Sequence, residues 1–320
     1  MPASSLSVRI QVPYLLYIVA GITAAGLLLA LWTVVIERRL FRVRRVVLDA
    51  RCVNLPPLKI LHVTDTHFAG RDGAILAFLR SLAAREEFDL VFFTGDLIEN
   101  AAGVESAEEA AGLFRPRLGA FAVFGGHDYA TVDPLRVYTH LLGREQREVY
   151  GARNPVEELV RRLEDLGMRV LHDENVRLTA PNGRVFAIVA LRDAFVFEPH
   201  FEAAWRGLDG KTPVIVIAHS PDVVRETYMR GANLAFFGHT HGGQVRLPLV
   251  GAIVTRSHLP ARLASGTFCE GRTVFILNNG LGTSPVVPYR LLCRPEVTIA
   301  QVASAPSADA LTRILEAHLG

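Results

Sequence analysis

Two kinds of hydrophobic pattern divide the chain. From Val12 to Ile36 runs VPYLLYIVAGITAAGLLLALWTVVI, without one charged residue. At ~1.5 Å rise per residue this stretch exceeds the ~30 Å hydrocarbon core of a bilayer, so it predicts one membrane-spanning helix. It far outruns the ~7–15 apolar residues of a cleaved signal peptide, and no small-x-small cleavage site follows it. Past the span, short apolar runs alternate with amphipathic stretches. Lys59–Thr64, Leu90–Thr94, Ala120–Phe124, Val185–Leu191, Pro213–Ala218, Leu234–Phe237, Thr273–Leu277 and Val297–Ile299 are too short for helices and rich in Val, Ile and Phe, so they predict strands. Between them lies a helix from Asn154-Pro155 to Gly167, with an N-cap, a first-turn proline, a Val156/Leu159/Val160/Leu163 stripe and a C-terminal glycine. Further helices are expected over Gly73–Ala84, Ser106–Phe114, Pro221–Arg230 and Ala308–His318. Buried strands alternating with helices indicate an α/β protein. The expected division is an anchor with its basic flank over 1–45 and one large domain over 46–320.

Composition and charge add place rather than chemistry. Half of the 320 residues are hydrophobic, which is high for a soluble protein and agrees with a span. Only Arg9 precedes the apolar stretch, whereas Arg38, Arg39, Arg42, Arg44 and Arg45 follow it with a single acid, Glu37. The positive-inside rule then places the C-terminal bulk in the cytoplasm, giving a single-pass protein of the inner (cytoplasmic) membrane. These arginines either grip anionic headgroups or serve only as a stop-transfer signal. A net charge of +2 and the lack of a basic-aromatic pattern give no sign of nucleic acid as a partner. Cys52, Cys269 and Cys293 are scattered and odd in number, which fits a reducing compartment. Residues 129–154 form an irregular insertion carrying Arg136, His140, Arg144, Arg147 and Arg153.

Chemistry concentrates where the strands end. In order come HVTDTHF (Asp65, His67), FTGDL (Asp96), FGGHD (His127, Asp128), IAHSPD (His219) and FGHTHGG (His239, His241). Residues i and i+2 of a strand point the same way, so Asp65/His67 and His239/His241 are each expected to present a ligand pair. In open α/β sheets ligands gather at the carboxyl ends of strands, where all five groups fall. Carboxylates mixed with imidazoles suit Mn²⁺, Fe or Zn²⁺ rather than Mg²⁺ or Ca²⁺. Taken singly, each piece has a bland reading: D-x-H or G-D is usually a turn, and one histidine is usually a hydrogen-bonded core residue. Two imidazoles between glycines, after four other such motifs in order, have little packing use.

This order of motifs resembles the calcineurin-like metallophosphoesterase superfamily, whose motifs run D-x-H, G-D, G-N-H-D/E, H and G-H-x-H, over about residues 58–302. The resemblance implies a four-layer α/β/β/α sandwich of two mixed sheets, here preceded by the transmembrane helix. It also implies two divalent metal ions, with Mn²⁺ the expected pair. By position, Asp65, His67 and His241 would bind one metal, Asp96 would bridge, and His219 and His239 would bind the second. His127 would act near the phosphoryl group and leaving oxygen, with Asp128 orienting it. A bridging water activated by the two metals would attack phosphorus. One position departs from the pattern. Gly126 stands where the family has a metal-binding asparagine, so a weaker second site is expected.

The anchor, HTHGGQV extending to Leu247-Pro248, and the late NNGLGTS and PYRLLCRPEV stretches resemble membrane-associated bacterial members that include UDP-2,3-diacylglucosamine pyrophosphatases. That resemblance implies a lipid-linked sugar nucleotide as substrate, met by a domain facing the cytoplasm. The basic insertion would contact its diphosphate. Phe195, Val196 and Phe197 would meet its acyl chains or, in the plainer reading, belong to the core. Another lipid or nucleotide substrate, or a non-catalytic binding protein keeping the fold, stays open at this point.

Overall fold

The computed structural model describes residues 12–132, 150–284 and 287–303. Twelve strands form two six-stranded sheets. The first runs in the order β1 (Arg42–Asp49), β12 (Glu296–Ala303), β2 (Leu58–Val63), β3 (Leu90–Thr94), β4 (Gly119–Val123) and β5 (Met168–Val170). The second runs β10 (Gly266–Glu270), β11 (Thr273–Leu277), β9 (Leu234–Phe237), β8 (Val214–Ile217), β7 (Val185–Ala190) and β6 (Glu174–Thr179). Strands β2 to β5 are parallel, as are β7, β8, β9 and β11, whereas β6 and β10 close the second sheet antiparallel.

Side-chain alternation sets the layers. On β3, Phe92 points between the sheets toward Phe236 and Ile217, while Val91 and Phe93 point outward. Helices α2 (Gly73–Ala83), α3 (Val104–Gly112) and α4 (Val156–Asp165) cover that outer face with Leu76, Leu79, Ala107, Leu159 and Leu163. The short helices α5 (Phe201–Ala204) and α6 (Val224–Met229) cover the second sheet with Ala204 and Val224. The result is the four-layer α/β/β/α sandwich that the motif order implied. Asp72 begins α2 by accepting from the Ala74 and Ile75 amides. Asn154 does not cap α4. Its amide instead donates to the carbonyls of His127 (2.7 Å) and Glu99 (3.3 Å), tying the helix entry to the chemical loops.

The edge strands escape the sequence pattern. β1 is RVRRVVLD, half exposed and arginine-rich, yet it pairs in parallel with β12 along its whole length. It therefore crosses the boundary expected at residue 45. Arg42 and Arg44 reach the buried Glu296 at 2.6 and 3.2 Å, and Arg45 pairs with Glu86, so these three are structural cations. Of the basic insertion, Arg153 ends a short strand paired with Ala130–Val132. Arg136, His140, Arg144, Arg147 and the expected helix Ala308–His318 lie outside the described residues.

The apolar helix α1 (Val12–Leu31) continues without a break through a π turn (Trp32–Ile36) and a 3-10 turn (Glu37–Arg39). Its end is fastened to the sandwich. Buried Glu37 accepts from the Cys293 amide (2.6 Å) and the Trp32 indole (2.8 Å), and the Arg290 amide donates to Thr33 O (3.0 Å). From Tyr14 the apolar side chains stand exposed, the condition a helix meets in lipid.

The sheet interface generates one stability expectation. Phe92 is fully buried, 5.4 Å from the Phe236 ring, so Phe92→Ala lowers unfolding free energy by about 3–5 kcal/mol. Chemical denaturation checks this, and a loss under 1 kcal/mol would mean that the sheets close the gap.

Candidate metal centre

Strands β2, β3, β4, β8 and β9 end at Val63, Thr94, Val123, Ile217 and Phe237, and the next few residues after each carry the predicted groups. The ligand pairs are not presented by strand alternation, as the sequence had predicted. Asp65, His67, Asp96, His239 and His241 lie beyond the strands with φ between 45° and 65°. This left-handed region costs a non-glycine residue about 1–3 kcal/mol and is held only where surrounding contacts insist. Here they do. The Asp65 amide donates to Gly95 O and the His67 amide to Asp96 O, both at 3.0 Å, while the His239 amide donates to Asp65 Oδ1 at 3.1 Å.

Close approach requires small residues. A Cβ on Gly125 would collide with Asp96 Oδ1 and lie 2.6 Å from the His219 ring. Gly125 has an ordinary extended backbone (φ −103°, ψ 178°), so it provides room for two ligands rather than an unusual turn. Gly126 opens the helical turn Gly126–Tyr129 that carries His127 and Asp128.

Two sets of ligand atoms gather within 4.8 Å of one another: Asp65, His67 and His241, and Asp65, Asp96 and His219. His67 Nε2 stands 3.1 Å from His241 Nε2, and His241 Nε2 stands 3.3 Å from Asp65 Oδ1. His219 Nε2 lies 3.2 Å from Asp96 Oδ2. His239 stands at the edge of this cluster, its ring 5.2 Å from that of His219. Its Nε2 lies 3.0 Å from Arg256 O, and donation there leaves Nδ1 as the ring atom with a lone pair. His219 likewise donates Nδ1–H to Thr94 O (2.7 Å), and His67 places Nδ1 2.9 Å from Glu99. Such outer partners fix the tautomer of a metal-ligating histidine. The donor set fits divalent cations, because His219 so held aims a lone pair at a carboxylate oxygen, which only a proton or a cation between them reconciles.

A third group, His67, Glu99 and His127, adjoins the first two. Glu99 Oε2 is 2.9 Å from His67 Nδ1 and 3.0 Å from His127 Nδ1. The role of orienting His127, expected of Asp128, falls to Glu99 in this geometry. Asp128 directs its oxygens at backbone: Oδ1 accepts from the Leu97 and Ile98 amides, and Oδ2 accepts from Gly125. It clamps the β4 loop onto the β3 loop. Burial lowers the pKa of His127, but Asp96 and Glu99 outweigh it and raise it to about 9. Burial also works against the Glu99 charge, and His127 and His67 still hold its carboxyl down to about 2. Around Asp96, three imidazoles led by His219 overcome burial and keep the carboxyl well below its usual range.

Three further buried charges were not read from the sequence. Glu99 follows Asp96 by three residues in an apolar LIE stretch, and that spacing was its only signal. Arg290 is fully buried and donates through Nη2 to the carbonyls of Asn279 and Gly282, bracing the loop behind Asp65 and His241. Asp193 is 1% exposed, and among the described residues its Oδ2 has no hydrogen-bond partner. Burial raises its pKa, against the His219 and His239 imidazoles. Phe195 packs its ring 4.8 Å from His239, and Phe197 stands 4.9 Å from Tyr129. Both are half-buried at the rim of the centre rather than in the core.

A family model described as calcineurin-like phosphoesterase matches residues 58–243, and the chain belongs to that family. It is a hydrolase of the metallophosphoesterase class. Among individual proteins, it is 26% identical over 326 residues to the UDP-2,3-diacylglucosamine pyrophosphatase LpxG of Chlamydia muridarum, covering 89% of this chain and 96% of that one. It is 28% identical over 247 residues to the uncharacterized metallophosphoesterase YkuE of Bacillus subtilis, covering 75% and 77%. The phosphodiesterase YaeI of Escherichia coli is 26% identical over 252 residues, covering 78% and 83%.

Two outcomes are expected of this geometry. In the metal-free protein the His127 imidazole titrates near pH 9 in an NMR titration, and Glu99→Gln moves it down. The folded value lies above the unfolded one, so its stabilisation is complete below about pH 6.5 and is lost as pH rises through 9. By calorimetric titration with Mn²⁺, Gly126→Asn tightens the weaker binding step, whereas Gly125→Ala weakens it. Unchanged affinity in Gly126→Asn would mean that another group already supplies the missing oxygen.

Proposed function

We propose that this chain is a single-pass membrane phosphoesterase using two divalent cations, Mn²⁺ or in its place Fe or Zn²⁺, to hydrolyse a phosphoester or diphosphate bond. The observation that carries the reading is the gathering of Asp65, His67, Asp96, His219 and His241 with the Glu99–His127 pair beside them. Asp65, His67 and His241 would hold one cation, Asp96 would sit between, and His219 with His239 would hold the other. Bound there, the cations would lower the pKa of a water and offset charge on the phosphoryl oxygens. Against burial, Asp96 and Glu99 favour the protonated form of His127 in the metal-free centre, and Glu99 holds its Nδ1, so its other edge would be placed to give a proton to the leaving oxygen. Asp128 keeps that histidine in place by clamping the backbone around it.

Similarity to LpxG along nearly the whole chain supports UDP-2,3-diacylglucosamine as substrate, cleaved to the lipid-sugar phosphate and UMP in lipid A biosynthesis. The apolar helix and the arginines after it support an inner-membrane site with the domain facing the cytoplasm. A second reading, action on a different lipid or nucleotide diester, is favoured by the likeness to the phosphodiesterase YaeI.

Full-length protein in detergent with Mn²⁺ is expected to hydrolyse bis-p-nitrophenyl phosphate, and Asp96→Asn or His241→Ala to lower kcat by at least ~10²-fold. His127→Asn slows an alkyl phosphodiester by ~10²–10⁴-fold and a p-nitrophenyl ester far less, because p-nitrophenolate leaves without a proton. Release of UMP from UDP-2,3-diacylglucosamine decides the substrate. Turnover of simple diesters alone would sink the sugar-nucleotide reading.

A further inference from the structure

A cavity of about 580 Å³ runs along the centre on the side of the anchor. Its wall includes Thr66 and the ligand-type His67 and also Arg38 and Arg39 of the 3-10 turn that ends the anchor helix. Charges cannot enter hydrocarbon cheaply, so the bilayer surface falls where Glu37, Arg38 and Arg39 begin. The cavity therefore joins the metal cluster to the membrane surface. Arg71 also lines the cavity but is paired with Glu109 at 2.9 Å, and Arg39 meets the lining carboxylate Asp72 at 3.5 Å. With Arg38 beside these two pairs the wall keeps a net positive charge, which favours an anion. Phe41, stacked on Phe78 at 5.3 Å, and the buried Leu281 give the same space an apolar side. A volume of this size suits a ligand much larger than phosphate. The rim is also fixed, because Glu37, Thr33 and Leu40 are hydrogen-bonded to Cys293, Arg290 and Arg294.

We infer that this cavity is the entry and binding site for a lipid with two anionic groups in its headgroup, such as a lipid-linked diphosphate. The phosphorus to be attacked meets the His67 end, the second anionic group meets Arg38 and Arg39, and the acyl chains stay in the bilayer. This rests on the phosphoesterase reading for its chemistry, but not for binding.

The test uses full-length protein in dioleoylphosphatidylcholine vesicles, with CDP-dioleoylglycerol as the membrane diphosphate and CDP-choline as its water-soluble counterpart. In a Cys52→Ser/Cys269→Ser background, Ala69→Cys at the cavity wall is labelled with a maleimide. CDP-dioleoylglycerol is expected to slow labelling at least fivefold, CDP-choline at equal concentration much less, and Arg38→Gln/Arg39→Gln to abolish the protection. In the Mn²⁺ form, the double variant is expected to lose at least tenfold in kcat/KM for CMP release from the lipid, through KM, and far less on bis-p-nitrophenyl phosphate. Equal protection by the two diphosphates, none by either, or equal losses on the lipid and the soluble diester would each overturn the inference. Protection without any turnover of bis-p-nitrophenyl phosphate would leave the cavity assignment standing and refute the phosphoesterase reading instead.

Discussion

Asp96 Oδ2 stands 3.2 to 4.0 Å from ring nitrogens of His219, His67 and His127, and the architecture around it exists to hold that crowd together. Buried carboxylates and imidazoles at such spacing are unfavourable without compensation. The two sheets bring their strand ends to one edge, and the loops then adopt left-handed conformations at five residues. Gly125 and Gly95 supply the room, since a Cβ at either would run into the His219 ring. Asp128 and Asn154 spend their hydrogen bonds on backbone, and Arg290 does so too while also reaching His241 Nδ1 at 3.4 Å, so all three pin the loops of the centre. The strain, the missing side chains and the buried structural charges are parts of one device.

Much of this was legible beforehand, for a physical reason. Interior strands such as LVFFT and LAFF are buried on both faces, so their sequences are continuous apolar runs with sharp ends. The chemical residues sit on those ends, and their order identified the fold and the cluster. What stayed hidden depends on tertiary packing. β1 reads as a basic flank because Arg42 and Arg44 serve Glu296, a residue 254 positions from Arg42, and Arg45 serves Glu86. Glu99 has no motif of its own and gains meaning only when β3 and β4 lie side by side. The left-handed φ values have no trace in an Asp or a His. They also explain why Asp65 and His67 converge without the strand alternation that their spacing predicted.

The exchange of Asp128 for Glu99 as the neighbour of His127 alters how the centre is coupled. Glu99 lies between His67 and His127, so one carboxylate orients both a ligand-type histidine and the proton-bearing one. Changes in the charge of either imidazole are therefore felt by the other through a shared oxygen.

The union of the apolar helix and the sandwich has a further geometrical meaning. α1 runs unbroken into turns that are hydrogen-bonded to the domain, so under the proposed membrane placement the domain would stand at one height above the bilayer instead of swinging on a linker. Such a molecule measures depth. So placed, it would reach bonds lying a set distance above the headgroup plane and pass over identical bonds held nearer the membrane or farther out on a longer headgroup.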